Sequence, residues 1–572
     1  MSRLGLSAAL FTVLISSATV RAADPLSFVP DSVQIVAKID NPRKLAEAFI
    51  SLDAAREAQR LAPIKAVLDS TAARRFFQML GHLERELGAK WPQLLDQLAG
   101  NGIAVGGHFG DGKPAILVLQ GTDEKQTEKA FNLFVETIGD ELQRQGARGR
   151  PKRETKQNAE TVFFGDSLHA ARQGITVLVT NKAEFLESAL RIAAARMPGS
   201  IRNKKTFAEA EKLLPGNPLA MLWIDFASVK KDQATKDFFE ATRKDFLQTL
   251  VVGGTIDCLR RSDFVAAGLY QEPTGLRLAL RLPAGRNEFP PEFALHVPME
   301  KGRYGSMPLL EPPGVVLSES IYLDIGYYWK HRDKLINEEM RKQLEGGVAQ
   351  LSKVLPGSVK FGELLEMWGP YHRGVVMNHD VLPYKTVPGI RYPAFGYVAT
   401  RRDPKFSTTL DSTLRSAGLI ASLTFGMKQA EIEHEGVKIV SYRFPENRPF
   451  PDDPDNIRFN FEPCFAAVDD QFIAATTVEV CKKLIAEVRR TAKLPASPAV
   501  WRGKAFAAGG SRALYDLPDP LITDAILSGG VGIENARKQV DAIGAWLKKL
   551  GSVRIEIDEA AMVYKFDAVW SH

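Results

Sequence analysis

Cysteine is scarce in this chain: its 572 residues include three, Cys258, Cys464 and Cys481. Three thiols cannot form a disulfide framework for a protein of this length. Cys464 lies at the edge of a predicted strand and Cys481 on the inner face of a predicted helix, which favours buried apolar roles for both. A Cys464–Cys481 bridge is the alternative. Burial of apolar side chains must therefore supply the stability.

Metal-binding motifs are also missing. The nine histidines are scattered, with no His-Glu-x-x-His spacing, and the cysteines form no Cys-x-x-Cys. His372, His379 and Asp380 flank one predicted strand, but the sequence indicates no further ligand for a metal there. The acidic loop Asp452–Asn456 lacks the glycine and the terminal glutamate of an EF-hand. The sequence therefore predicts no metal site.

Glycine-rich segments do not complete a nucleotide-binding motif. Gly106-Gly107 precedes a predicted hairpin, and the segment Gly529-Gly-Val-Gly532 precedes a helix without the Lys-Ser/Thr or the third glycine that phosphate binding requires. No cofactor is therefore expected.

Long apolar runs are absent beyond the first 23 residues. Residues 1–23 resemble a secretory signal peptide, with Arg3 in a basic start, a short apolar core, and small residues at Ala22 and Ala23 for cleavage. We expect an exported protein, periplasmic or extracellular, with no transmembrane span after cleavage. An uncleaved N-terminal anchor is the alternative.

The charge balance is close to even. A formal net charge of +6 arises from 74 basic and 68 acidic residues, without the concentrated basic face of a nucleic-acid-binding protein, so no nucleic-acid partner is expected. One stretch is strongly basic and is predicted to be a loop from Arg144 to Lys156. It is a candidate contact for an anionic envelope polymer or a lipid surface, and a solvated charge run is the alternative. Its members are Arg144, Arg148, Arg150, Lys152, Arg153 and Lys156.

The segment Phe164-Gly-Asp-Ser-Leu168 matches the serine block of GDSL esterases. In such an enzyme Ser167 would attack an ester carbonyl after losing its proton to a histidine. However, the block lies in mid-chain and no Asp-x-x-His follows it. Gly-Asp-Ser is also a common turn between strands. We therefore assign no catalytic residue and keep Ser167 as a weak candidate.

A second serine motif is weaker still. Ser228-Val-Lys-Lys231 matches the Ser-x-x-Lys of penicillin-recognising enzymes, but no Lys-Thr-Gly follows. A match of four residues at this looseness is expected by chance, so it predicts no activity.

A strand–turn–strand–helix pattern occurs twice. The first copy comprises Val162–Leu168, Gly174–Thr180 and a helix from Lys182. The second comprises strands at 464–468 and 472–477 and a helix from Val478. We interpret the recurrence as internal duplication. The strand Met221–Asp225 is predicted to correspond to Arg512–Asp516.

These patterns predict an α+β protein of two related halves. Each half is expected to have a mainly antiparallel sheet and a ferredoxin-like βαββαβ unit covered by helices. The predicted domains are a signal peptide at 1–23, a first repeat at 24–285, a linker at 286–311 and a second repeat at 312–572. The linker is placed where proline and glycine are frequent and periodicity is lost.

Several features resemble certain exported bacterial proteins classified only as a domain of unknown function. They are the signal sequence, Leu214-Pro-Gly-Asn-Pro218 leading into a strand that ends at Asp225, and a Leu-Leu segment ending at Gly100 before a glycine-rich strand. The resemblance covers most of residues 26–285 and, more faintly, the second half. It implies no activity and no site residue.

The sequence favours a non-catalytic role in the envelope, as a scaffold or in binding, because neither half contains a complete catalytic set. Two alternatives remain open. One is a serine hydrolase centred on Ser167. The other is a carrier for an apolar ligand such as a lipid, by analogy with tandem sheet-and-helix binders.

Overall fold

The computed structural model describes most of the chain after residue 23. The described ranges are 24–144, 151–195, 199–231, 235–236, 246–286, 289–298, 305–352, 360–450, 452–517, 519–559 and 562–572. The predicted signal peptide at 1–23 lies outside them, as do Arg148 and Arg150. Within these ranges the chain combines α-helices with antiparallel sheets, which confirms the α+β class.

The helices are short to medium in length. They are α1 Pro42–Ile50, α2 Asp53–Ala58, α3 Ala62–Leu68, α4 Thr71–Leu87, α5 Trp91–Ala99, α6 Glu124–Arg144, α7 Ala183–Ala195, α8 Lys205–Leu213, α9 Phe226–Val229, α10 Phe246–Arg261, α11 Ile325–Leu335, α12 Glu338–Leu351, α13 Phe361–Met367, α14 Lys405–Phe425, α15 Val478–Thr491, α16 Ala507–Asp516, α17 Asp519–Gly529 and α18 Ile533–Leu547. Short 3-10 helices span Pro25–Phe28, Ile201–Asn203, Pro291–His296 and Ile457–Asn460.

The strands are β1 Ile35–Ile39, β2 Gly102–Gly107, β3 Ala115–Gln120, β4 Lys152–Lys156, β5 Ala159–Phe163, β6 His169–Gln173, β7 Thr176–Thr180, β8 Ala220–Asp225, β9 Phe264–Glu272, β10 Gly275–Leu282, β11 Val315–Tyr322, β12 Trp368–Met377, β13 Ala394–Arg401, β14 Lys428–His434, β15 Val437–Arg443, β16 Cys464–Val468, β17 Gln471–Ala475, β18 Trp501–Phe506, β19 Ser552–Glu559 and β20 Tyr564–Ser571.

Local capping explains several helix boundaries. The side chain of Asn41 accepts a hydrogen bond of 2.8 Å from the Lys44 N–H at the start of α1. Asp123 accepts one of 3.0 Å from the Gln126 N–H at the start of α6. α5 ends at Gly100, whose N–H donates to the Asp96 carbonyl at 2.9 Å. Asparagine and aspartate at a helix start and glycine just after a helix are residue types that favour such ends.

The chain divides into two compact units. The first contains the described residues of Met1–Phe49, Thr71–Lys212 and Leu219–Asp225. Its sheet has the order β4-β5-β6-β7-β3-β2-β1-β8, with every neighbouring pair antiparallel. Helix α6 covers one face, where Phe131 and Val135 pack with Val162, Phe164 and Ala170. These apolar contacts bury the stripe that the spacing of α6 predicts.

The second unit contains Ile50–Ser70, Leu213–Pro218 and the described residues of Phe226–His572. Its sheet has the order β14-β15-β16-β17-β13-β12-β11-β18-β19-β20-β10-β9, again antiparallel throughout. Helix α15 packs on it, with Leu484 and Val488 in one cluster with Ile439 and Ile473.

Two predicted element boundaries are wrong. The first predicted segment, Val162–Leu168, contains only the last two residues of β5 and the turn at 164–168, and a further strand, β6, begins after it at His169. The segment predicted as a loop contains β4, whose charged side chains hid the strand because alternation of apolar residues is absent there. The ferredoxin-like order is not confirmed, since four strands lie between α6 and α7 and β8 pairs with β1.

The prediction that Arg512–Asp516 forms a strand is also wrong. These residues end helix α16, and the strand in that part of the chain is β18. The division into repeats at 24–285 and 312–572 stays a prediction. One strand pair crosses this predicted division. Strand β10 falls in the predicted first repeat but pairs along its length with β20 of the predicted second repeat.

Glycine at position 418 is required by close packing. A Cβ there would lie 2.1 Å from the ring of Tyr442, whereas one at Gly346 in α12 would meet nothing within 4 Å. We expect Gly418→Ala to lower the free energy of unfolding by about 1–3 kcal/mol through overpacking. Gly346→Ala should raise it by about 0.5–1 kcal/mol through helix propensity. Urea denaturation measures both changes, and equal effects at the two sites would contradict the packing seen here.

Candidate ligand-binding cavity

A row of side chains on one face of the second unit's sheet forms the floor of a cavity. Strand register places them side by side: Ile321 of β11 is opposite His372 on one neighbouring strand and Trp501 on the other, and Trp501 is opposite Ile557. Glu319 follows on the same face because it lies two residues from Ile321.

Helical segments cover this face. Helix α10 contributes Val251, Val252 and Thr255. The 3-10 helix Pro291–His296 contributes its last residue, His296, and α11 contributes its first residue, Ile325. The cavity volume is about 350 Å³, which falls within the size range of small-molecule sites.

Most of the cavity wall is apolar. Its edge reaches solvent, because Val251 and Val252 are 48% and 38% exposed and Glu319 is also exposed. The remaining lining residues are Tyr322, Leu323, Arg373, Gly374, Tyr397, Val500 and Glu559. A mostly apolar wall with a few buried polar groups is typical of a ligand site.

His296 is one of those polar groups. It is buried, and its ring bonds to the backbone of Thr249 while Nε2 has no partner. The bonded nitrogen is therefore Nδ1, which donates to the Thr249 carbonyl. Burial lowers the pKa of His296 to about 4. The ring is thus neutral near pH 7 and Nε2 offers a lone pair.

Glu559 is the second buried polar group in the cavity wall. Its Oε2 atom has no hydrogen-bond partner. Burial, and then the nearby charges of Asp257 and Asp558, raise its pKa to about 8. A carboxyl group in these surroundings keeps its proton at neutral pH and can donate a hydrogen bond.

Gly254 of α10 brings these two side chains together. A Cβ at this position would lie 3.1 Å from His296 Cδ2 and 3.3 Å from Glu559 Oε1. The two groups therefore flank the same glycine and form one polar end of the cavity. No ion pair between them is found in the part of the chain that the structure describes.

A third polar group, the pair His372 and Tyr397, is already satisfied. His372 Nε2 lies 2.8 Å from the Leu323 carbonyl, to which it donates, and Nδ1 accepts from the Tyr397 hydroxyl. Burial lowers the pKa of His372 and raises that of Tyr397. This closed pair fixes part of the wall. His296 and Glu559 still have unused hydrogen-bonding atoms. Arg373 Nε is also unpartnered, but the Arg373 side chain binds Thr491 and Gln471 and lies on the other face of β12 from His372.

The structure places Ser167 in an exposed turn of the first unit. Gly165 has φ +68°, and the Phe164 N–H donates to the Leu168 carbonyl at 2.9 Å. His169 turns the other way, because its ring is buried and packs 5.3 Å from the ring of Phe163. This geometry favours the turn interpretation of Gly-Asp-Ser. A hydrolase role for Ser167 stays an untested prediction.

The histidines predicted near one strand are separated. His372 lies at the cavity described above, whereas His379 and Asp380 line another cavity beside Arg391 and Arg512. The carboxylate of Asp380 binds Arg512 at 2.8 Å and also Lys483. Among the described residues no cluster of three or more His, Cys, Asp or Glu side chains could hold a metal.

The carboxylate of Asp453 has a structural role. It accepts hydrogen bonds from the Ile457 N–H at 2.7 Å and from Arg458 Nη1 at 2.7 Å, at the start of a 3-10 helix.

In the second serine motif, Ser228-Val-Lys-Lys231, the Lys230 ammonium donates to the carbonyls of Arg260 and Ser262. All three cysteines are buried free thiols, and Cys464 Sγ lies 3.6 Å from the Ala475 carbonyl.

The described members of the basic cluster are paired with glutamates. Arg153 lies 2.6 Å from Glu160 and Lys156 lies 2.5 Å from Glu187. Arg144 pairs with Glu141 and Lys152 with Glu154. An anionic polymer or lipid partner for this cluster therefore stays a prediction.

Comparisons with known proteins do not show a family. No family model matches the chain. No curated protein matches it either. Solved structures that resemble it include crystal forms I and III of TP0453, at TM-scores of 0.23 and 0.22 and identities of 12% and 11%. Each alignment covers 47% of this chain and 82% of the other. Likeness at this level carries no argument about function. Among the described residues, no helix has the length and apolar character of a membrane span.

Proposed function

We propose that the protein is a binding protein for a small, mainly apolar ligand, which occupies the cavity of the second unit. One observation carries this proposal: an apolar cavity of about 350 Å³ has at one end two buried side chains, His296 and Glu559, with unpartnered polar atoms. Burial of such atoms without a partner costs about 1–3 kcal/mol each. A ligand that supplies the partner would remove that cost.

The proposal is tested by titration of the purified protein with N-phenyl-1-naphthylamine, an apolar dye that fluoresces when it leaves water. We expect saturable binding of one dye per chain, and displacement by medium-chain alkyl compounds. Native mass spectrometry of the protein purified without detergent would identify a ligand carried from the cell. Absence of saturable dye binding would contradict the proposal.

We also propose that the two sheets derive from a duplicated scaffold. Eight strands of each sheet follow one order: β4-β5-β6-β7-β3-β2-β1-β8 in the first and β14-β15-β16-β17-β13-β12-β11-β18 in the second. A long helix precedes the first hairpin of each set, as α6 and α14, and another follows the fourth strand, as α7 and α15. A homologue that contains one such sheet alone would support duplication, whereas a homologue in which β1–β8 take another order would oppose it.

An exported location is proposed on the N-terminal sequence alone. Export would place ligand binding in the periplasm or outside the cell, in a scaffold or binding role. N-terminal sequencing of the protein recovered from the producing bacterium should give a start near Ala23 or Asp24. A retained Met1 would contradict cleavage.

A further inference from the structure

We propose that His296 and Glu559 make the cavity selective for ligands that carry a neutral hydroxyl group. This inference rests on the proposed ligand-binding function and specifies the chemistry of the ligand's polar end. The two side chains flank Gly254, and His296 Nε2 lies 3.6 Å from the Cβ position of the adjacent Gly253. Their unpartnered atoms, His296 Nε2 and Glu559 Oε2, are complementary in hydrogen bonding and belong to residues that line a mainly apolar space.

The hydrogen-bonding roles follow from the contacts. The Nδ1–H of His296 is used by the Thr249 carbonyl, so Nε2 can only accept a hydrogen bond. The protonated carboxyl of Glu559 can donate one. A hydroxyl group both donates and accepts, so it can satisfy His296 and Glu559 at the same time. An ether oxygen can only accept and would leave Nε2 without a partner.

The charges around this end disfavour an anionic headgroup. Asp257 and Asp558 both raise the pKa of Glu559, which means that the local field opposes added negative charge. The nearby Arg261 is already committed, because it binds Asp257 at 2.7 Å and the Gly285 carbonyl at 2.9 Å. The other lining cation, Arg373, directs its guanidinium to Thr491 and Gln471 on the opposite face of β12. A ligand carboxylate would therefore lose its hydration without gaining a free cation at this end.

An ammonium headgroup is the strongest competitor, since it could donate to His296 and to an ionised Glu559. It must, however, be transferred from water into the apolar end and must also displace the proton of Glu559. Both steps are unfavourable in surroundings that keep this carboxyl neutral. A bound water could also occupy the polar end, and a ligand hydroxyl would then replace it.

The test compares four ligands of equal chain length in displacement of N-phenyl-1-naphthylamine at pH 7: octan-1-ol, 1-methoxyoctane, octanoate and octylamine. We expect octan-1-ol to bind about tenfold more tightly than each of the others, the effect of one buried hydrogen bond left unmade. His296→Leu and Glu559→Leu should remove this preference while dye binding persists. His169→Leu is the matched control, because His169 is also buried with an unpartnered nitrogen but lies in the first unit.

The outcomes separate this inference from the function on which it rests. Equal displacement by all four compounds, or a preference for octylamine or octanoate, overturns the hydroxyl inference while the cavity remains a binding site. A preference for octan-1-ol that survives both leucine substitutions also overturns it. If the dye does not bind at all, the proposed function itself fails.

Discussion

Replacing Val252 by tryptophan weakens binding of N-phenyl-1-naphthylamine at least about tenfold. Val252 lines the cavity and is 38% exposed, so a larger side chain can turn inward without displacing the core. The added indole then occupies space that the ligand needs. Loss of most of the apolar contact area of a small ligand easily exceeds the 1.4 kcal/mol that corresponds to tenfold. Fluorescence titration measures the dissociation constant.

Two further variants make this result specific. Val251→Trp changes the adjacent lining residue on α10. The two variants place the tryptophan side chain at two neighbouring positions on the helix, so its direction differs between them. Val387→Trp adds the same side chain at a site that is 53% exposed and does not line the cavity. We expect Val387→Trp to bind the dye as the unmodified protein does. Unchanged binding in both cavity variants would mean that the dye binds elsewhere.

Replacing Glu559 by glutamine stabilises the protein at pH 8 by about 2–4 kcal/mol and has an effect within about 1 kcal/mol near pH 4.5. The reason is the raised pKa of Glu559, about 8 in the folded protein against an ordinary value of 4.5. Between these values the unfolded chain has lost the proton and the folded protein retains it. Stability conferred by the protonated carboxyl is therefore complete below pH 4.5 and is lost as the pH rises to 8.

The groups that face Glu559 set the size of this effect. Asp257, Cys258 and Arg261 lie on α10, Asp558 is its neighbour on β19, and Tyr564 lies opposite on β20. Glutamine keeps the shape and the hydrogen-bonding atoms but cannot ionise, so it removes the pH-dependent part alone.

His296 makes the free energy of unfolding depend on pH in the opposite direction. Its pKa is lowered from 6.5 to about 4, so the folded protein loses stability as the pH falls from 6.5 towards 4. Both proteins contain His296, so its contribution cancels when the free energy of unfolding of the unmodified protein is subtracted from that of Glu559→Gln. Urea denaturation at pH 4.5, 6, 7 and 8 measures this difference. Glu556→Gln, on the same strand but partly exposed, should keep the pH dependence of the unmodified protein. A Glu559→Gln difference that is constant across this range would contradict a neutral, buried Glu559.

Local features of the fold were readable from the sequence because they depend on neighbouring residues. The cap at Asn41, the glycine that ends α5 and the hairpin between β2 and β3 are set within a few positions. Strand β6, His169–Gln173, was not readable, because its residues do not alternate between apolar and polar side chains. Strand β4 was also hidden, since its exposed residues are all polar.

The cavity could not be predicted from the sequence because it joins residues that are far apart in the chain. His296 lies in the stretch assigned to a linker, which shows no periodicity. Trp501 meets Ile321 through strand pairing that no local signal specifies. One sequence signal did point to Glu559. Ile555, Ile557 and Glu559 are two residues apart in β19 and therefore lie on the same face of the strand, so Glu559 falls on the apolar side, where an ionisable residue is unexpected.

Ligand binding in the cavity can be observed by diffraction from crystals soaked with 6-bromohexan-1-ol, in which the anomalous signal of bromine locates the ligand. We expect a bromine peak inside the cavity near Val252 and Ile321, with the hydroxyl at His296 and Glu559. A cavity that holds ordered water alone would contradict this expectation. So would bromine only on outer apolar surfaces, such as the exposed Leu419 and Leu423 of α14.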